Sequence, residues 1–458
     1  MEKTAKLNRY YFGLGTVGRD MLFIMVSLYL MVYLTEILDL PDSTMWYMTG
    51  ALTFLRIFDA LNDPFVGILV DNTKTRFGKF KPWIVIGGII GGIFTILLFT
   101  DFGFPGKGME YVIYYIIIYL AWDLAYGIND IAFWSMLPSL TIDQAEREKI
   151  GSFAKICAEA GMYIGVIGIP PATSALANAL GSSTRAWFVC SVAIAAITCI
   201  FLCFTVFGVN EQYSVHAKSK PTSLKEMFRV IFKNDQLLFT AISMALFMIG
   251  YTTTASFGVY YFKYAYKDEN MYMIFAAILG VSQLLTLSFF PYFAKKYSRK
   301  NLYTFSTVLV VAGYLLFFFS PMKIVFIGIA GMLIFVGQAF IGILMMMFLT
   351  DTVEYGQWKL GRRNESITFS IQPFINKIGG ALANTIIGIT LIISGINSAA
   401  TPGDVTETGL LILKLAMLIL PLLIIVAGYI IYRTKFKIDK EMFDKIISEL
   451  TERGDFTG

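Results

Sequence analysis

FLRIFDALNDPFVG, residues 54–67, places Arg56, Asp59, Asn62 and Asp63 inside a stretch otherwise apolar enough to cross a membrane. Ionisable groups at bilayer depth are costly, so they usually face a bundle interior or a watery cavity and mark an ion or substrate path. Asp59 and Asp63 are four residues apart, which stacks two carboxylates on one helical face, with Arg56 one turn earlier on the same side. Two acids converging on one point make a candidate cation trap.

The rest of the chain supports a membrane setting. Of its 458 residues 56% are hydrophobic and only 15% charged, and the mean hydropathy is +0.66, too apolar for a water-soluble protein of this length. The formal charge of +5 does not indicate a nucleic-acid partner, because the basic residues cluster in short loops between apolar runs. Cys157, Cys190, Cys199 and Cys203 all fall in apolar segments and read as packing residues. A single histidine, His216 in a polar loop, argues against a His-based metal site or a Ser-His-Asp hydrolase. The expectation is therefore a non-enzyme without a cofactor. The N-terminal MEKTAKLNRY leads into a long apolar stretch without a short h-region or small-residue cleavage site, so the first helix is expected in the mature protein.

A span needs roughly 20 apolar residues to cross about 30 Å of hydrocarbon. Twelve candidates satisfy this, at about 12–36, 45–70, 82–100, 109–137, 150–177, 184–208, 236–262, 270–291, 301–319, 323–349, 364–395 and 407–432. The arm, the alternate connections and the tail hold roughly 27 of the 37 Lys and Arg, and the opposite loops about five. DNTKTRFGKFKP (71–82), AKKYSRKN (294–301) and WKLGRR (358–363) are the plainest basic loops, whereas LDLPDST (38–44) has no Lys or Arg. Both termini are expected in the cytoplasm, in a multi-pass protein of the plasma membrane, a prokaryotic inner membrane.

The longest connection separates two sets of six spans. The expected organisation is an N-terminal six-helix bundle over 1–208, a cytoplasmic middle loop over 209–235, a C-terminal six-helix bundle over 236–432 and a cytoplasmic tail over 433–458. This all-α arrangement resembles the major facilitator fold, whose two bundles rock about a midplane site.

Other charges are embedded in the spans: Arg19, Lys155, Lys377 and Lys414, and the acids Asp20, Asp123, Asp130 and Glu159. Most of the acids lie in the first four spans, which points to a site for a cation or a hydroxyl-rich solute in the N-terminal half. Single charges of this kind also serve as interior ion pairs that position helices. Asp123, Tyr126, Asp130 and Trp134 form a stripe on one face of span 4. Carboxylates accept hydrogen bonds from hydroxyls and an indole face stacks on a pyranose, so the stripe suits a sugar, while Tyr126 and Trp134 are equally placed to be core aromatics. In span 11, Gln372, Asn376 and Lys377 precede Gly379-Gly380, setting polar donors beside residues that permit close helix approach.

YFGLGTVGRD, RIFDALNDPFVGILVDNTKTRFGKFKPW, YGINDIAFWSMLPSLT, KNDQL, DTVEYGQWKLGRRNESITFSIQ and NKIGG occur in this order along nearly the whole chain. With these motifs the chain resembles the glycoside-pentoside-hexuronide:cation symporter family, and within it the melibiose branch. The resemblance implies a major-facilitator carrier that moves a glycoside, oligosaccharide or pentoside together with Na⁺, Li⁺ or H⁺. It makes Asp59 and Asp63, with Asn62 beside them, the cation residues, so that Na⁺ is a possible ligand of the pair. It makes Asp20 and Asp130 the acceptors for sugar hydroxyls, with Tyr126, Trp134, Arg56 and Lys155 around the sugar and Lys377 and Gln372 serving from the C-terminal half. Asp351, Glu354, Arg362 and Arg363 match the cytoplasmic motif that the family uses for conformational locking, and a monomer is the superfamily expectation.

Two departures stand out. The melibiose branch has Thr one residue after the tyrosine of span 4, giving a hydroxyl to Na⁺, where this chain has Gly127, so Na⁺ and H⁺ both stay open. It has Arg where span 5 carries Lys155, exchanging a bidentate fork for a point donor and opening a different choice of sugar. Asp123 has no assigned role, with Lys155 and Lys377 as candidate partners. The expected coupling is reciprocal: cation and sugar each favour the other's bound state, and a tenfold effect on affinity is roughly 1.4 kcal/mol. A carrier of a non-sugar solute such as a lysolipid is the alternative within the same superfamily. A channel would show a repeated pore motif, and none occurs.

Overall fold

The computed structural model describes residues 2–38, 40–103, 108–211, 231–268, 271–396 and 401–455; within them the side chains of residues 2–5, 35–36, 42–43, 45–46, 49, 52–54, 56–61 and 273 lie outside the description. The described chain is helical, with one isolated bridge, Thr75 to Gly78, in a loop. Twelve long helices follow in order: α1 (Glu2–Val32), α2 (Asp42–Asp71), α3 (Lys81–Leu98), α4 (Met109–Ser135), α5 (Gln144–Leu180) and α6 (Ser183–Cys203). Then come α7 (Asp235–Tyr260), α8 (Met271–Lys296), α9 (Arg299–Phe319), α10 (Ile324–Leu360), α11 (Glu365–Ile393) and α12 (Glu407–Lys435), before a short terminal helix, α13 (Lys440–Glu452). Among the described residues eleven helices are long and apolar enough to cross a membrane. The remaining one of the twelve expected spans is α2, 30 residues long and the most heavily charged in its middle.

The chain divides into two compact units. The first comprises Met1–Met227 with Asn364–Ser370 and Gly454–Gly458; the second comprises Phe228–Arg363 and Ile371–Arg453. Most of the expected middle loop, residues 212–230, lies outside the described residues. Its entry is held in the first unit, where Asn8 and the backbone of Asn210 exchange two hydrogen bonds (3.0 and 2.8 Å) and Lys81 donates to the Val209 carbonyl (2.7 Å).

In the first unit the stretch of α1 that carries the polar residues is pinned from two sides. A Cβ on Gly161 of α5 would stand 2.3 Å from the Val17 carbonyl oxygen, so only glycine lets the two backbones approach so closely. From α6, Thr198 donates to the Gly18 carbonyl at 2.8 Å. Between α3 and α4, Asn129 donates to the Ile84 carbonyl at 2.7 Å. Side chains at 19, 20, 126 and 130 therefore project from fixed backbone.

The second unit has a buried aromatic and hydroxyl core. Tyr303, Phe348, Tyr432 and Phe436 pack ring on ring, and Thr254, Tyr314 and Gln338 join α7, α9 and α10 through hydrogen bonds. The amphipathic α13 buries Phe443, Ile446 and Leu450. It is tied to the end of α10 where Trp358 donates to Glu449 at 2.6 Å.

Candidate functional site

At the centre of the first unit the Arg19 guanidinium lies between two carboxylates, 3.3 Å from Asp20 and 3.1 Å from Asp130. A planar fork of donors suits two acids at once, where a lysine would offer a point charge. The guanidinium also rests over the Phe133 and Trp134 rings, with 4.8 and 5.5 Å to their centroids. Arg19 is 4% exposed, but the Asp20 and Asp130 side chains remain 17% and 21% exposed. The arginine is thus neutralised and covered while its partners keep accessible acceptor oxygens.

Lys155 of α5 places its ammonium 4.6 Å from the Trp134 ring centre and within electrostatic range of Asp20. Glu159, one turn further along α5, acts on both Lys155 and Asp20. The Tyr126 hydroxyl is in the field of Asp20 and Asp130, and its ring stacks on Phe23 at 4.9 Å. Asp20, Tyr126, Asp130, Trp134 and Lys155, expected as one set, are therefore brought together by α1, α4 and α5. Trp134 is 7% exposed, its ring approached by two cations. Arg19 was visible in the sequence as an embedded base without a role; its adjacency to Asp20 in GRD was the available signal. Glu159 likewise stood among the embedded acids without an assignment.

Of the expected cation residues, Asp63 is buried (1% exposed) and Asn62 partly exposed, whereas the side chains of Asp59 and Arg56 lie outside the described residues. A Cβ added at Gly127 of α4 would stand 3.8 Å from an Asp63 carboxylate oxygen, at ordinary van der Waals distance. Position 127 thus faces Asp63, and glycine there contributes no side chain toward the carboxylate. In the second unit Gln372 and Lys377 are partly exposed on α11.

The expected locking residues are found in pairs within the second unit. Asp351 is bound by Arg299, and Glu354 by Arg363 at 3.3 Å, with Gln357 accepting from the same guanidinium at 3.0 Å. Arg362 is partly exposed. A further charged cluster lies at the basic loop 71–82. In the first unit Lys79 lies 2.6 Å from both Asp71 and Glu365, and Asp71 also accepts from the amides of Ser366 and Ile367 (3.0 and 2.9 Å), capping the start of α11. Burial alone would favour the neutral amine, but the two carboxylates outweigh it and hold Lys79 above the ordinary lysine range. In sequence DNTKTRFGKF is legible only as a basic loop. Gly78, at φ +100°, makes the turn that presents Lys79, and a Cβ there would stand 2.8 Å from Glu211.

Lys414, the remaining embedded base, is spent locally: it donates to the Phe318 carbonyl at 3.1 Å over the ring of the same residue.

Twelve long helices with a charged centre among α1, α4 and α5 define a membrane carrier. The solved Escherichia coli fucose:proton symporter shares the fold, with a TM-score of 0.67 at 13% identity over 96% of this chain and 99% of that one. A sequence profile described as MFS/sugar transport protein matches residues 11–440. The raffinose carrier protein of Pediococcus pentosaceus is 33% identical over 96% of this chain and 71% of its own length. The lactose permease of Lactobacillus delbrueckii subsp. bulgaricus is 32% identical over 98% and 73%. The chain belongs to the MFS/sugar transport family, in its glycoside-pentoside-hexuronide:cation symporter group, and it is a multi-pass membrane transporter with the major facilitator fold and not an enzyme.

Proposed function

We propose that the protein is a secondary active carrier that moves a glycoside, oligosaccharide or pentoside across the plasma membrane together with a monovalent cation, both termini being cytoplasmic. The observation that carries this reading is the Arg19 centre, where one guanidinium is held by two acids whose outer oxygens stay accessible. Sugar hydroxyls donate to Asp20 and Asp130, while Tyr126, Trp134 and Lys155 surround the ring. Arg56, and Gln372 and Lys377 of α11, complete the proposed set of solute-binding residues. Asp63, with Asp59 and Asn62, takes the cation, Na⁺, Li⁺ or H⁺; the absence of a hydroxyl at position 127 favours H⁺. Asp351 with Arg299, and Glu354 with Arg363, make and break as locks during the cycle. The names of the two relatives, a raffinose carrier and a lactose permease, support a saccharide cargo.

The test is uptake into proteoliposomes loaded with or without an opposing Na⁺ or pH gradient, using lactose and raffinose as probes. Accumulation above the external concentration, driven by one of the two gradients, is expected, and Asp63→Asn should abolish it. Full gradient-driven uptake by Asp63→Asn would remove the cation assignment, and a wild type that moves neither probe under any gradient would remove the saccharide one.

A further inference from the structure

At the end of the second unit that carries its basic loops, two cations stand at one level on neighbouring helices. α9 and α12 run antiparallel: the Thr304 and Tyr429 hydroxyls meet at 2.8 Å, and towards the other end Lys414 donates to the Phe318 carbonyl at 3.1 Å. Lys300 precedes Thr304 by four residues, and Arg433 follows Tyr429 by four. Each cation therefore lies one turn, about 6 Å, beyond the Thr304–Tyr429 bond, on the face of its helix that makes the bond. Thr304 also donates to the Lys300 carbonyl at 2.9 Å, which makes Tyr429 the donor between the two hydroxyls and fixes the register of the pair.

No acid neutralises them. Arg299 is bound by Asp351, whereas Lys300 and Arg433 have no ion-pair partner among the described residues. Two like charges held side by side repel, and a shared anion removes that cost. The same two helical rows continue away from the charges as apolar surface: Val308 on α9 and Ile430 on α12 are 59% and 54% exposed. Both helices are long and apolar enough to cross a membrane, so exposed apolar side chains along them face acyl chains. Cations at the membrane edge with apolar rows running inward have the polarity of a phospholipid, and a soluble phosphate would leave those rows unused.

We propose that the edge formed by α9 and α12 binds one anionic phospholipid, its phosphate bridging Lys300 and Arg433 and its acyl chains lying along Val308 and Ile430. The guanidinium fork matches two phosphate oxygens, and the lysine adds a point charge. Basic residues grouped between spans on the side of the basic loops recognise headgroups of this kind. The lipid then sits one residue from the Arg299–Asp351 pair.

The experiment is native mass spectrometry of the purified protein in detergent micelles, titrated with phosphatidylglycerol, with phosphatidylcholine of the same acyl chains, or with glycerol 3-phosphate. Wild type is expected to retain one phosphatidylglycerol in preference to phosphatidylcholine, and to retain no glycerol 3-phosphate at the same concentration. Lys300→Gln combined with Arg433→Gln should weaken phosphatidylglycerol about 30-fold, and each substitution alone about fivefold. Lys435→Gln should change it less than about twofold, because that ammonium lies over the Phe239 ring of α7. Unfolding midpoints taken without added lipid expose any folding defect, and if the double variant does not fold the two single variants read the same loss. Equal retention of the two lipids, or an equal loss in Lys435→Gln, reduces the site to general surface charge and overturns it. Retention of glycerol 3-phosphate as tight as that of the lipid overturns the choice of a phospholipid. The readout involves no solute, so its failure is distinct from a failure of the saccharide reading.

Discussion

Two places in the first unit use the same device, one cation between two carboxylates, and differ in what the acids have left over. Around Arg19, Asp20 and Asp130 are 17% and 21% exposed, so their carboxylates keep accessible surface. Around Lys79, Asp71 and Glu365 are both 3% exposed, and Asp71 spends its remaining capacity on two helix-starting amides. Satisfied acids fasten a structure, and acids with accessible lone pairs await a partner. The choice of cation agrees: an arginine fork holds two acids in fixed geometry, while a lysine supplies charge at a crowded turn.

The largest effect is expected at the fastened cluster. Lys79→Met leaves two buried carboxylates facing each other, and breaking a buried pair by removing one partner costs about 3–5 kcal/mol. A marked fall in the unfolding midpoint in detergent is the readout, with affinity for lactose in the surviving folded protein changed little. An unchanged midpoint would show that the Lys79 cluster is not a clasp and would erase the contrast. Since the Lys79 ammonium is held above its ordinary range, its contribution is complete below about pH 10.4 and is lost only as pH rises through the higher folded value. The clasp should therefore be insensitive to pH between about 6 and 9.

At the Arg19 centre the same operation should affect binding before stability. Asp20→Asn or Asp130→Asn retains shape and one acceptor oxygen but removes the charge. Lactose affinity is expected to fall roughly 10- to 100-fold, about 1.4–2.7 kcal/mol. Calorimetry or competition binding measures it; unchanged binding in both variants would make these acids structural, like those around Lys79.

How much of this contrast is readable from sequence depends on the kind of signal. Long apolar runs and basic loops fix the helices, because bilayer thickness sets their length and unpaired charge cannot sit in hydrocarbon. The stripe Tyr126, Asp130, Trp134 is legible because one helix carries it at regular spacing. Arg19 was not assignable, since its two partners sit on α1 and α4 and adjacency to Asp20 alone gives no direction. Lys79 is obscured for a similar reason: Asp71 and Glu365 are far apart in the chain, and the loop's basic composition is itself a topology signal. The packing of Phe23 on Tyr126 is hidden by abundance, as 16% of the chain is aromatic and ring pairing across helices leaves no local mark.

A finer probe of the open side lies at position 127. Since a Cβ there would stand 3.8 Å from Asp63, Gly127→Thr brings a hydroxyl to the carboxylate without requiring backbone movement at the first atom. A neutral oxygen ligand beside a carboxylate favours a hard monovalent cation over a proton. The variant should shift the driving ion toward Na⁺ or Li⁺ by about tenfold in half-saturating concentration, or about 1.4 kcal/mol, measured as uptake against cation concentration at fixed pH. An ion preference identical to wild type would separate Asp63 from cation binding.

The smallest effect is expected beside the clasp itself. Both Glu211 oxygens are buried against the Gly78 turn, and that burial pushes the carboxyl up, with Lys79 and Lys81 opposing only in part. A carboxyl raised in the folded state binds its proton more tightly there than when unfolded, so its penalty is absent below about pH 4.3 and grows as pH rises through the folded value. Glu211→Gln removes the charge and keeps the shape. It should leave stability near pH 4 almost unchanged, raise the unfolding temperature by a few degrees at pH 7, and flatten the pH dependence between the two. A drop at pH 7 would mean that the ionised carboxylate is a working member of the Lys79 cluster. The fastened side of the comparison would then hold three acids around its lysine.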